Sequence, residues 1–220
     1  MARVDPDTRL ELDLWESGLL YIAGLDEAGR GALAGPVAVG AVILPYDNAL
    51  LSRTLGGARD SKQMTPRARE SLAPRIKETA LTWSVGFADA GEIDSQGIVR
   101  ATRLAAIRAL HQFSMAPQYL LTDFRLELPQ LDISQTSLVR GDAHCLSIAC
   151  ASILAKTERD ALMRELDSRH PGYGLEKHKG YGTRAHRSAM KRLGLSSVHR
   201  RSFHVRGTIY GAPTSVKRIS

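Results

Sequence analysis

Only two cysteines occur in the 220 residues, Cys145 and Cys150, and they stand five positions apart in an apolar stretch. That is not the CxxC spacing of a zinc or redox site, so both are expected as buried thiols. No apolar run approaches the roughly 20 residues of a membrane span, and no signal-peptide core is present, so a cytoplasmic protein without membrane contact is expected. Internal repeats and low-complexity tracts are absent. So are a phosphate-binding P-loop, a Ser-His-Asp arrangement and a Cys-His pair, which leaves no motif for a covalent nucleophile or nucleotide-driven chemistry. Negative charge is in deficit, with 23 Asp and Glu against 30 Lys and Arg, a net charge of +7. An acidic polymer is therefore the first partner to consider.

Hydrophobic residues make up 43% and charged residues 24%, the balance of a chain that folds on its own around one substantial core. A single domain is expected over 1–220, with a core at about 18–203 and a basic end at 204–220. Nothing in the sequence demands more than a monomer.

The most informative stretch is Gly24-Leu25-Asp26-Glu27-Ala28-Gly29-Arg30-Gly31. It follows the apolar run 19–23 and precedes the apolar run 34–44, and two strands joined by a short Gly-rich link predict an antiparallel pair. Adjacent acids in a strand point to opposite faces, so Asp26 and Glu27 are expected to share a site only if the strand ends or bulges there, or if backbone atoms also take part. Gly29 and Gly31 let backbone N–H groups approach a ligand, and Arg30 adds a fork suited to phosphate oxygens. A surface turn has the same composition.

Along the chain, residues 5–17 predict a short helix capped by Asp7. Thr65 and Pro66 form the start of a helix, in which Pro74 implies a kink or a second start. Lys62 lies in the loop before it, as a phosphate contact or a solvated loop lysine. Residues 81–88 alternate as a strand, and 98–110 repeat at helical spacing. Residues 118–123 form a strand ending in Asp123, and 136–139 form a brief strand before Arg140-Gly141-Asp142. A long buried helix is expected from Ala143, with Asp142 at its mouth as cap or cation ligand. In 177–183, Lys177, His178 and Lys179 flank Tyr181, a composition suited to phosphate contact and stacking. A last helix runs from Thr183 to Leu193 and stops at Gly194. From His199 the chain reads as a flexible basic tail.

Asp26, Glu27, Asp123 and Asp142 thus fall at element ends. Converging, they would repel one another without cations, and hard oxygen ligands suit Mg²⁺ or Mn²⁺. Two such ions about 4 Å apart can hydrolyse a phosphodiester in line without a covalent intermediate.

These segments resemble bacterial ribonuclease HII. The resemblance is carried by Gly24 to Gly31, Asp60-Ser61-Lys62, Asp123, Gly141-Asp142 with Ser147 to Lys156, and His178 to Thr183, in the family's order from Tyr21 to Phe203. It implies an α/β fold: an RNase H-like core with a central mixed β-sheet flanked by helices, plus a helical C-terminal part. The implied activity is hydrolysis of the RNA strand of RNA–DNA hybrids and nicking 5′ to single ribonucleotides in duplex DNA, in ribonucleotide and primer removal. It also implies that Asp26, Glu27, Asp123 and Asp142 bind metal and that Gly29, Arg30 and Gly31 sense the 2′-OH. Tyr181 would pack on the neighbouring deoxyribose, and Lys62 and Lys179 would contact the nucleic acid. The tail could contact a clamp or polymerase. Ala32 stands where the family has proline, and Phe124 where it has glycine after the third aspartate, for which Asp132 is the nearest alternative. The residues before Tyr21 leave no room for the extra N-terminal domain of ribonuclease HIII, which favours HII. A noncatalytic hybrid-binding module and a DNA junction resolvase are the competing readings; the four acids argue against the first and the 2′-OH-sensing groups against the second.

Overall fold

A computed structural model describes residues 6–48, 50–124 and 126–203. Five strands, β1 (Ile22–Ala28), β2 (Val37–Ile43), β3 (Thr82–Ala88), β4 (Tyr119–Asp123) and β5 (Gln135–Leu138), form one mixed sheet in the order β3-β2-β1-β4-β5. β1, β2 and β3 pair antiparallel as a meander, and β4 and β5 add in parallel on the other side of β1. β1 and β2 are buried along nearly their whole length, as continuous apolar runs with helices on both faces require.

The helices are α1 (Arg9–Glu16), α2 (Leu51–Thr54), α3 (Pro66–Thr79), α4 (Ala90–Gln96), α5 (Ile98–Leu110), α6 (Leu146–Arg169), α7 (Leu175–His178) and α8 (Arg184–Leu193). Ala101, Ala105, Ala106 and Ala109 of α5 cover one face of the sheet against Leu25, Val39 and Ala41. The other face carries α6, whose Ala149, Cys150 and Ala151 pack with Val42, Leu44 and α3. Small residues let α6 lie almost on the strands. A Cβ at Gly40 would sit 2.2 Å from the Ala151 carbonyl oxygen. Gly40→Ala must therefore part helix from sheet, and a loss of about 1–3 kcal/mol in urea denaturation is expected, with an unchanged midpoint contradicting this packing.

Several boundaries differ from expectation. Thr8 rather than Asp7 holds the cap position of α1, although Asp7 still accepts from the Arg9 amide at 3.0 Å. α3 runs through Pro74 as one helix, with no second start. The long helix begins at Leu146, not Ala143, because Gly141–Ala143 turns as a 3₁₀ segment and the buried Glu11 carboxylate of α1 accepts from the Ser147 amide at 2.8 Å. His199 and Arg200, read as the start of a flexible tail, are buried at 1% and 2% exposure. Residues 204–220 lie outside the described residues. Both cysteines are buried and free. No helix among the described residues is long and apolar enough to cross a membrane.

Candidate active site

β1 carries both leading acids inside the strand, and its register with β2 is unbroken from Ala23↔Ile43 to Ala28↔Ala38. The acids meet without a bulge or strand end, the backbone taking part instead. The reason is on the other side of β1, where pairing with β4 stops at Leu25↔Thr122 and leaves an open edge. There the Asp26 carboxylate folds back to accept from the Glu27 amide at 2.7 Å. Asp123, the last residue of β4, arrives at the same edge, and one carboxylate oxygen from each of Asp26, Glu27 and Asp123 lies within 4.8 Å of the others. Asp123 is held by the Gly141 amide at 3.0 Å. Asp132 is exposed in the β4–β5 connection and takes no part in this cluster.

Asp142 falls outside that 4.8 Å set but within electrostatic reach of it. Burial first, then the Asp60 and Asp123 carboxylates, push its pKa up to about 6. Asp60 is thus a fifth acid of the site that the sequence reading passed over. It caps the 3₁₀ turn Ser61–Gln63, accepting from the Lys62 amide at 2.9 Å. Asp26 is 2% exposed, and burial, then the Glu27 charge, hold its carboxyl well above the ordinary range. Its Oδ2 is buried with no hydrogen-bond partner among the described residues. The Ser152 hydroxyl and the Lys62 charge oppose the rise in pKa only in part, and a buried carboxylate oxygen facing other acids is what a hard divalent cation satisfies, so the donor set fits such an ion. Lys62 feels this charge: burial works against its protonation, but Asp26, Asp60, Asp142 and Glu27 together raise its pKa.

Beside the acids opens a cleft of about 580 Å³ lined by Glu27, Gly29, Arg30, Gly31, Lys62, Arg69, Lys156 and Tyr181. Arg30 lies 3.7 Å from Glu27. Tyr181, 36% exposed, has the Arg159 guanidinium carbon 5.6 Å and Lys156 Nζ 5.9 Å from its ring centre. Lys179 instead lines the neighbouring cleft with Pro66, Glu70 and Arg164, and its ammonium donates to the Glu176 carbonyl. Five of the six predicted groups other than acids meet here; Lys179 does not.

Two buried arginines shape this cleft, Arg159 and the Arg200 that was expected in the tail. Arg200 donates to the carbonyls of Gly29, Arg30 and Gly35 at 2.8, 2.9 and 3.0 Å. Arg159 donates to those of Pro36, Lys179 and Ala34 at 2.8, 3.0 and 3.3 Å. With the Gly29 and Arg30 carbonyls turned inward to Arg200, the loop is pinned from behind. Gly29 has φ +83° and a Cβ there would fall 1.9 Å from Arg159 Nε, so only glycine fits. A second network, Arg69 to the carbonyls of Ser61 and Met64 and to Asp160, which also holds Lys156 at 2.6 Å, pins the Lys62 turn to α6.

Known proteins match this chain closely. The family model described as Ribonuclease HII matches residues 23–206. A Ribonuclease HII of Desulfitobacterium hafniense is 50% identical over 91% of this chain and 75% of its own length. One from Dehalococcoides mccartyi is 48% identical over 92% and 94%, and one from Thermus thermophilus 49% over 88% and 91%. Among solved structures, the ribonuclease H2 of Pyrococcus horikoshii superposes with a TM-score of 0.68 at 24% identity, covering 83% of this chain and 93% of that one. Bst-RNase HIII in complex with Mn²⁺ gives 0.62 at 22%, over 79% and 61%. These two show a shared fold. The family match over most of the length, with relatives at about half identity, establishes that the chain belongs to the ribonuclease HII family and is an endonuclease of the ribonuclease H type, acting on RNA–DNA hybrids.

Proposed function

We propose that this enzyme, besides cutting the RNA strand of hybrids, nicks duplex DNA 5′ to single embedded ribonucleotides, leaving 5′-phosphate and 3′-OH. The observation that carries this is the juxtaposition of the Asp26, Glu27 and Asp123 oxygens with a cleft lined by Gly29, Arg30, Gly31 and Tyr181. Asp26, Glu27, Asp123 and Asp142 hold the metal. Two divalent ions, Mg²⁺ or Mn²⁺, would supply there an activated hydroxide and charge stabilisation at the leaving 3′ oxygen. The chain's own residues do the rest. The acids themselves are not nucleophiles; their role is to orient. Arg30 and the exposed edge of the Gly29–Gly31 loop approach the phosphate and 2′-OH of the ribonucleotide, the hydroxyl that separates RNA from DNA. Tyr181 packs on the adjoining deoxyribose, and Lys62 contacts backbone phosphate, with Lys179 on the flanking duplex. A clamp partner would reach this chain through residues 204–220; a structure of the PCNA:RNase HII complex from Archaeoglobus fulgidus has a TM-score of 0.67 to this fold.

One substitution and one metal-removal experiment test the assignment. Tyr181→Ala should weaken junction nicking by a stacking contribution of about 1–3 kcal/mol, roughly tenfold or more in kcat/KM, with the melting temperature nearly unchanged. If only stability drops, Tyr181 is structural. Hydrolysis of a hybrid should need added Mg²⁺ or Mn²⁺ and stop in EDTA; cleavage in EDTA would remove the metal reading.

A further inference from the structure

Behind Tyr181 lie three histidines that the chemistry above does not use. His178 and His186 stack at 4.3 Å with their planes 20° apart, and His199 packs 5.3 Å from His186 and 4.7 Å from the Tyr173 ring. His186 and His199 are 0% and 1% exposed. Their Nε2 atoms are 3.2 Å apart.

Backbone groups dictate the tautomers. The Tyr181 carbonyl can only accept, so His186 Nδ1, 3.0 Å away, carries the proton and its Nε2 is bare. The Ser196 amide can only donate, at 3.0 Å, so His199 Nδ1 is bare and its Nε2 carries the proton. The Nε2–H of His199 therefore donates to Nε2 of His186. One directed chain results, from Ser196 through both imidazoles to the carbonyl of Tyr181. His178 is fixed in the same way, receiving from the Gly180 amide at 3.3 Å and donating to the Tyr173 carbonyl at 2.9 Å.

The covalent neighbour of His199 is Arg200, whose guanidinium holds the carbonyls of Gly29 and Arg30. The strip between them is shared too. Leu33 donates to the Gly180 carbonyl at 2.8 Å and accepts from the Arg200 amide at 2.9 Å, while Gly35 donates to the Val198 carbonyl at 2.8 Å. The segment Ser196–Arg200 is thus bonded at one end to the turn that presents Tyr181 and at the other to the loop that presents Arg30.

We propose that His186 and His199 are positioning residues which, through their Nε2–Nε2 hydrogen bond, lock the Tyr181 turn to the segment that aims Gly29-Arg30-Gly31, so that both halves of junction recognition are held in one register. This rests on the reading of Tyr181 and Gly29–Gly31 given above. Protonating His186 at Nε2 would set its N–H against that of His199 and break the lock, whereas protonating His199 at Nδ1 would set an N–H against the Ser196 amide that anchors it. The groups around the pair resist that. Burial first, then the charge of His178, lower the pKa of His186 to about 4, and burial, then His186, with His170 and His178 further off, do the same for His199. The Tyr181, Gly180 and Ser196 backbone groups oppose this only in part. The lock is therefore closed at neutral pH.

The test combines kinetics with histidine NMR on the full chain. His199→Phe keeps the ring and loses both nitrogens; His199→Gln restores an N–H donor near the Nε2 position. For a duplex with one ribonucleotide, His199→Phe should raise KM about tenfold with kcat within about threefold, and His199→Gln should return KM to within about twofold of the parent. Equal KM in all three proteins, or no rescue by glutamine in a variant that folds, overturns the proposal. Should the phenylalanine variant fail to fold, ¹⁵N-histidine spectra of the unaltered protein decide. At pH 7 they should show a neutral His186 protonated at Nδ1 and a neutral His199 protonated at Nε2. Any other tautomer, or a charged ring at pH 6, overturns it. Tyr181→Ala run alongside separates the two levels: an unchanged junction KM in that variant removes the role given to Tyr181, whereas a raised KM there with none in His199→Phe removes only the lock.

Discussion

Asp26→Asn is expected to abolish hydrolysis, lowering kcat by about 10³-fold or more, because one ligand of a metal-dependent phosphodiester cut is lost. Binding of an RNA–DNA hybrid in EDTA, followed by fluorescence anisotropy, should hardly change, since the groups lining the cleft beside the acids remain. The same substitution should also stabilise the metal-free protein. Asp26 is buried, its Oδ2 has no hydrogen-bond partner among the described residues, and burial with the like charge of Glu27 and Asp123 outweighs the opposing Ser152 hydroxyl and Lys62 charge. A carboxyl whose folded pKa is raised above its unfolded value opposes folding when ionised, and the opposition fades as the pH falls to the unfolded value. Asparagine removes it, so the metal-free melting temperature at pH 7 should rise by about 3 °C or more, and the gap should close at low pH. A fall in melting temperature at pH 7 would mean that Asp26 is a structural carboxylate with a donor of its own.

Arg200→Ala should produce the largest loss of stability. The guanidinium is 2% exposed and serves three backbone carbonyls, from Gly29, Arg30 and Gly35; alanine takes this donor from all three and leaves the Gly29 carbonyl with only the Ala32 amide at 3.2 Å. Removing one partner of such a buried charged network costs about 3–5 kcal/mol. Burial, then the charge of Arg159, lower its pKa to about 9, so it stays cationic at pH 7 and donates throughout the working range. Arg200→Lys should recover little, because a point-charge ammonium cannot span three carbonyls as the planar fork does. Guanidinium unfolding of the three proteins measures both effects. A lysine variant as stable as the parent would show that charge alone, and not the fork, holds the Gly29–Gly31 loop.

Local pattern made much of this molecule legible. Apolar runs at 37–44 and 81–88 became β2 and β3, Thr65 and Pro66 opened α3 with the Thr65 hydroxyl accepting from the Ala68 amide, and Asp123 closed β4 at the same sheet edge as Asp26. What escaped depends on distant partners. Whether β1 could place two adjacent acids at one site turned on where its pairing with β4 stops, which no local pattern in 22–28 reveals. Asp60 was given no place among the acids of the site because its nearness to Asp142 is set by how the Ser61–Gln63 turn docks on α6. Arg159 had no assigned role and Arg200 was expected in the tail, yet each is satisfied by carbonyls that lie 20 to 171 positions away in sequence. His199 looked like the start of a tail for the same reason.

The central claim is that one cleft joins a metal-binding cluster of acids to a sensor of a single 2′-OH. Its most direct test is cleavage of a labelled DNA duplex holding one ribonucleotide, beside an all-DNA duplex of the same sequence, in Mg²⁺, Mn²⁺ and EDTA. The account predicts one nick, 5′ to the ribonucleotide, in either metal, with the all-DNA duplex intact and EDTA silent. Cutting of long hybrids with the lone ribonucleotide ignored, or equal cutting of the all-DNA duplex, would contradict it.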